Sequence, residues 1–177
     1  MSTISAVFQI SLLVATFLCT VVFGEMLVFQ TVVMPGIAKL DDGAYLRAFQ
    51  VIDGVIQDNE PIFVATWIGS VLVILASIVI AIIATAASGI DNVLTTAQLV
   101  GLIIATLAWL VCQRTTFTIN VPLNNRVKFL DLSHMNATEK NMERKHFEGT
   151  WLKWHLFRTI IMGLVSVYLL ILVLVVE

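Results

Sequence analysis

The sequence predicts an all-α integral membrane protein: an antiparallel four-helix transmembrane bundle with short amphipathic helices in its first and third loops. Three observations lead there. The 177 residues are 59% hydrophobic and 12% charged, with a mean hydropathy of +0.96, more apolar surface than a soluble domain of this length can hide. Four apolar stretches reach the roughly 20 residues that a helix needs to cross a bilayer core. All ten Lys and Arg residues fall between Lys39 and Arg158, within or beside the two loops that four crossings put on one side.

The first span covers about residues 4–35. Its start, "MSTISAVFQ", lacks a basic n-region, and no small-residue cleavage site follows, so it reads as a retained span rather than a signal peptide. Glu25 and Gln30 lie five residues apart on it and cannot both face one point; Glu25 is the candidate intramembrane anion. In the first loop, "DDGAYLRAFQVIDGVIQ" places Tyr45, Phe49, Ile52 and Ile56 at helical spacings with charges between them. That pattern predicts a short helix on the membrane face.

The second span, 62–87, is entered through "NEPIF", where Pro61 fits the first helical turn. Ala65 and Gly69 allow a neighbouring helix to come close. The short "SGID" turn around Gly89 then makes the second and third spans antiparallel neighbours. The third span covers 93–118 and the fourth 156–176. Between them, residues 133–138 offer helix caps before a Glu/Lys-rich helical segment. With no long linker, internal repeat or low-complexity tail, residues 1–177 read as one membrane domain. The positive-inside rule puts loops one and three in the cytoplasm and both termini on the opposite side, which would leave the Asn136-Ala-Thr138 sequon unmodified.

Several function classes are excluded. The net charge of -2, with bases and acids interleaved, gives no basis for nucleic-acid binding. Cys19 and Cys112 sit in apolar runs without CxxC or Cys/His spacing, and the three histidines lack a zinc-like arrangement. G-x-S-x-G, P-loop and G-x-G-x-x-G motifs are missing from the sequence, so neither a metal nor an organic cofactor is expected.

The chemistry concentrates in polar residues within the apolar spans. Gln113, Thr116 and Asn120 recur at i, i+3 and i+7, one helical face, which Asn124 extends if the helix survives Pro122. Arg114 is one position off that face. In "WLKWHLFR", Trp151, Trp154, His155 and Arg158 recur at i, i+3, i+4 and i+7. Facing lipid would be costly, so both stripes should turn inward at the same end of the bundle. Trp151 and Lys153 also fit the role of headgroup anchors, whereas Arg158, a turn deeper, needs a partner. In "TTFTINVPLNNR", Pro122 should release backbone carbonyls that Asn120, Asn124 and Asn125 satisfy, unless those amides contact a ligand.

The strings "VVMPGIAKL", "AFQVID", "NEPIF", "TTFTINVPLNN" and "WLKWHLFR", in this order over nearly the whole chain, resemble the anthrone-oxygenase-like family of four-helix membrane proteins. The resemblance implies, as in some members, oxidation of an anthrone to an anthraquinone by molecular oxygen without a metal or flavin; other members have no assigned activity. For such a reaction, chemistry assigns His155 as base, with Arg158, Gln113 and Asn120 stabilising the anion and Trp151 and Trp154 stacking on a flat ring. Thr116 and Asn124 complete the ligand-binding set, under a roof formed by loops one and three. The expected partners are membrane lipid, a quinone-like or polycyclic aromatic ligand, and a membrane complex or a second copy of the chain. The rival class is a non-catalytic lipid- or quinone-binding subunit of a larger complex. In that class the polar groups would be satisfied by neighbouring helices rather than aimed at one empty volume.

Overall fold

In the computed structural model, residues 3–88 and 95–175 are described, and they are helical apart from short connections. The helices are α1 (Thr3–Val28), α2 (Met34–Ile37), α3 (Asp42–Gln57), α4 (Pro61–Ser88), α5 (Thr96–Thr115), α6 (Val121–Lys128) and α7 (Ala137–Val175). Four stretches are long and apolar enough to cross a membrane, Ile4–Ile37, Pro61–Ala86, Thr96–Lys128 and Ala137–Val175. The chain is an integral membrane protein. The expected "SGID" turn past Ser88 and the first two residues assigned to the third span lie outside the described residues.

Two π-helical turns account for crossings longer than the sequence suggested. Phe29–Val33 joins α1 to α2 and Thr116–Asn120 joins α5 to α6, each just before a proline, Pro35 or Pro122. Proline has no N–H for the carbonyl four residues back, and its ring clashes with that carbonyl; a wider turn moves the carbonyl aside. In both cases the residue four positions back is a threonine. Thr31 Oγ1 donates to the Leu27 carbonyl at 2.7 Å, and Thr118 Oγ1 to the Arg114 carbonyl at 2.8 Å. The helical path therefore survives Pro122 and carries Asn124 with it. The fourth crossing is likewise longer than 156–176, because the charged segment and the apolar span form the one 39-residue helix α7. Asn136 caps it reciprocally with Glu139: Glu139 N–H donates to Asn136 Oδ1 at 3.0 Å, and Asn136 N–H to Glu139 Oε2 at 2.8 Å.

The chain divides into two compact units. One comprises the segment ending at Phe23, Ala65–Cys112, and the segment beginning at Ile161. There Leu18, late in α1, approaches Gly69, early in α4, while Gly101 of α5 lies under Tyr168 of α7 and Gly163 under Phe23. These pairings join helices running in opposite directions. Ile10, Phe17, Leu72, Ile104 and Leu164 are exposed, as acyl chains require and water does not favour. Buried hydroxyls of Thr16, Ser77 and Thr106 each donate one turn back along their own helix, which satisfies these three donors in apolar surroundings.

The other unit comprises Gly24–Val64 and Gln113–Ile160. Asp41 caps α3 by accepting from Ala44 N–H at 2.9 Å, and two residues past its end Asn59, with a φ of 62°, turns the chain toward Glu60 and Pro61. Tyr45, Leu46 and Phe49 of α3 pack with Met34, Val127, Phe147 and Trp151 in one apolar cluster. Gln50 Nε2 donates to the Val127 and Leu130 carbonyls at 2.8 and 3.0 Å. Arg144 of α7 caps the end of α2 by donating to the Ala38 and Leu40 carbonyls, both at 2.9 Å, pairs with Asp42 and Glu148, and covers the Tyr45 ring. Loops one and three are thus packed on each other.

Candidate functional site

The polar residues singled out by spacing meet in the second unit, and a continuous series of contacts connects them. It begins at Asp53 on α3, which is 5% exposed. Asp53 Oδ1 accepts from Asn124 Nδ2 at 2.8 Å, and Oδ2 accepts from Gln57 Nε2. With its Nδ2 committed to the carboxylate, Asn124 turns Oδ1 to the Trp151 indole, whose Nε1–H donates to it at 2.7 Å. Trp151 stacks on His155 with ring centroids 4.5 Å apart and planes 15° apart. His155 Nδ1 lies 3.0 Å from Arg158 Nη2, and Arg158 Nη1 donates to Thr116 Oγ1 at 2.6 Å. Asn120 Nδ2 donates to the Trp151 carbonyl at 3.3 Å.

Helix geometry explains why these residues converge. On α7, Trp151, His155 and Arg158 occupy one face over two turns. Thr116, Asn120 and Asn124 recur at intervals of four along the π turn and α6, antiparallel to it. The wide turn supplies the register that carries Asn124 onward from Asn120 despite Pro122.

The tautomer of His155 follows from its partners. A guanidinium can only donate, so Nδ1 must be the acceptor, and Nε2–H faces the Met26 carbonyl at 3.0 Å. Both ring nitrogens are engaged, which leaves the lone pair needed by a base directed at Arg158. The expected anchor Trp151 is buried instead: its N–H is taken by Asn124, and Phe49 and Phe147 pack on its ring at 5.5 and 5.9 Å. Trp154 is not brought to this group; it is half-buried and meets Phe157 edge-on. Gln113 is half-buried one turn before Thr116, and Lys153 is exposed. Asn120 and Asn124 send their amides across to other helices, where the sequence suggested that they repair carbonyls released by Pro122.

Asp53 and Gln57 were not among the sequence candidates. The signal was present, because Asp53 lies four residues after Phe49 and eight after Tyr45, on the apolar face of α3. Burial raises its carboxyl above the ordinary 3.8, against opposing pulls from Gln57, Lys128 and Asn124. Asn120 is 2% exposed, yet its Oδ1 has no hydrogen-bond partner among the described residues. A buried amide oxygen left in that state is costly unless a donor arrives from outside the chain. Among the described residues, no three His, Cys, Asp or Glu side chains gather as a metal-binding group.

The profile of the family described as anthrone oxygenase matches residues 63–168, more than half of the chain. No curated protein and no solved structure matches it.

Proposed function

Because the chain belongs to the anthrone oxygenase family, we propose that it is a membrane-embedded oxygenase that needs no cofactor and oxidises an apolar, anthrone-like aromatic with molecular oxygen. The observation that carries the reading is Asn120 Oδ1, without a hydrogen-bond partner among the described residues and buried beside the Trp151 carbonyl, in a group that also holds a stacked aromatic pair and the 4% exposed Arg158. An apolar ring system partitions into the bilayer and brings hydroxyl donors that can meet Asn120 Oδ1. Its carbon-bound proton leaves, and the resulting enolate carries its charge on oxygen. The buried positive charge of Arg158 stabilises that charge, which is worth more in a water-poor site than in solvent.

The reaction closes without an added redox group. Loss of a proton from the methylene carbon gives the enolate, whose electrons pass to oxygen, and a carbon–oxygen bond forms as a hydroperoxide. Loss of water with the second methylene proton leaves the carbonyl, so one anthrone and one dioxygen give one anthraquinone and one water. His155 takes a different part from the expected base: by accepting from Nη2 it orients Arg158, whose Nη1 is held by Thr116. Loops one and three lie on the cytoplasmic side in this reading, following their Lys and Arg content.

A second reading has an observation in its favour. Arg158, His155, Trp151 and Asn124 largely satisfy one another across helices, as a non-catalytic lipid- or quinone-binding subunit would have them. The experiment that separates the two uses purified protein in nanodiscs, a hydroxyanthrone and ¹⁸O-labelled dioxygen. The oxygenase forms quinone well above the protein-free rate, with one labelled oxygen in the new carbonyl. A binding subunit retains the aromatic and leaves the rate at background.

A further inference from the structure

We infer that Asp53 is the group that takes the proton from the substrate carbon, with Asn124 and Gln57 holding its carboxylate for that task. The inference rests on the oxygenase reading for its substrate, and on the geometry of the second unit for its residue. The connected group contains amides, an indole, a hydroxyl and a guanidinium, none of them a base near neutral pH. The imidazole lone pair is engaged by Arg158. The carboxylate at the head of the series remains.

Its two oxygens receive one amide N–H each, from Asn124 and Gln57. A carboxylate has about four acceptor sites, so each oxygen keeps capacity for a proton. The amides fix the carboxylate's orientation, and Asn124 ties it to the Trp151 indole and so to the stacked pair beside Arg158. Burial makes the carboxylate a stronger base than an exposed one, with Lys128 the charged group that moderates the effect.

The proton balance closes on this residue. The methylene C–H bond breaks, an O–H bond forms on Asp53, and the electron pair passes into the enolate. After oxygen adds, Asp53 returns its proton to the peroxide. It then removes the second methylene proton as the O–O bond breaks and hydroxide leaves, and it returns that proton to form water.

Two measurements on nanodisc-embedded protein test this with one hydroxyanthrone probe. The first is deuterium exchange at the methylene carbon in D₂O under argon; the second is oxygen uptake in air. The wild type is expected to accelerate both. Asp53→Asn should lose about a hundredfold of the protein-catalysed part of each, the scale of general-base catalysis, while its dissociation constant for the probe stays put. Asp53→Glu, which keeps a carboxylate and guards against a misfolded amide variant, should retain measurable exchange. Exchange by folded Asp53→Asn within about threefold of wild type overturns the assignment, that being far short of a general base's share. A loss that follows weakened probe binding also overturns it, because Asp53 would then be a positioning residue. Exchange without oxygen uptake in the wild type sinks the oxygenase reading and leaves Asp53 as proton acceptor. A wild type that does neither overturns both.

Discussion

Arg158 Nη2 lies 3.0 Å from Nδ1 of His155, three residues earlier on the same helix face. A permanent cation thereby donates to an imidazole lone pair and fixes Nδ1 as the acceptor. The same guanidinium reaches Thr116 in the π turn, so its plane is fixed at two points. Arg158→Lys keeps the charge and loses the planar fork. Turnover should fall by about tenfold or more, the equivalent of one charge-assisted hydrogen bond, with the melting temperature close to wild type. Steady-state quinone formation beside thermal unfolding checks this, and unchanged turnover would show that the fork is dispensable.

Asp53 makes stability depend on pH in a stated direction. Burial holds its folded pKa above the unfolded 3.8, so the native state binds the proton more tightly. The associated stability is fully present below the unfolded value and is lost as pH rises through the folded one. The melting temperature should therefore decline upward from the ordinary carboxylate range, and Asp53→Asn should lack that component. Parallel pH–melting curves in the two proteins would contradict this.

The first unit allows a packing test away from the site. A Cβ at Gly101 would stand 2.0 Å from Tyr168 Oη and 2.5 Å from Cζ, where the hydroxyl donates to the Gln98 carbonyl at 3.0 Å. Gly101→Ala must displace the ring, at a cost of about 1–3 kcal/mol for overpacking. Tyr168→Phe loses the hydrogen bond alone, about 1 kcal/mol. Unfolding in detergent should rank the alanine variant lower, with turnover per folded molecule unchanged in both.

Sidedness is open to direct labelling. Cys19 and Cys112 are buried, so an impermeant thiol reagent should report on cysteines introduced at exposed Asp58, Lys145 and Thr96. In intact cells, Thr96→Cys should react and the other two should be protected. The reverse pattern would invert the orientation and leave the four crossings intact.

Much of this architecture was legible in the sequence. Hydropathy and length marked four crossings, the Tyr45/Phe49 spacing marked α3, and the polar cluster before the Glu/Lys-rich segment contained the Asn136 cap. What was obscured has identifiable causes. Proline usually ends a helix, and nothing local announces the wide turn that lets it continue at Pro122. A tryptophan among charges suits a headgroup anchor until a partner such as Asn124, 27 residues away, takes its N–H. Asp53 does not stand out in the sequence because an acid in an amphipathic helix is usually solvated; its position on the Tyr45/Phe49 face becomes meaningful only when Asn124 of α6 meets it.

The buried polar group is either a substrate site or a helix-packing device, and Asn120 decides between them most directly. Its Oδ1 has no partner among the described residues, whereas its Nδ2 donates to the Trp151 carbonyl. The measurement is quinone formation per folded molecule in Asn120→Ala against wild type, with folded protein counted by thermal unfolding of the same nanodisc preparation. A substrate site predicts a loss of about tenfold or more per folded molecule, as removal of a hydrogen-bonding group from a site implies. A lower melting temperature with turnover per folded molecule equal to wild type would contradict it.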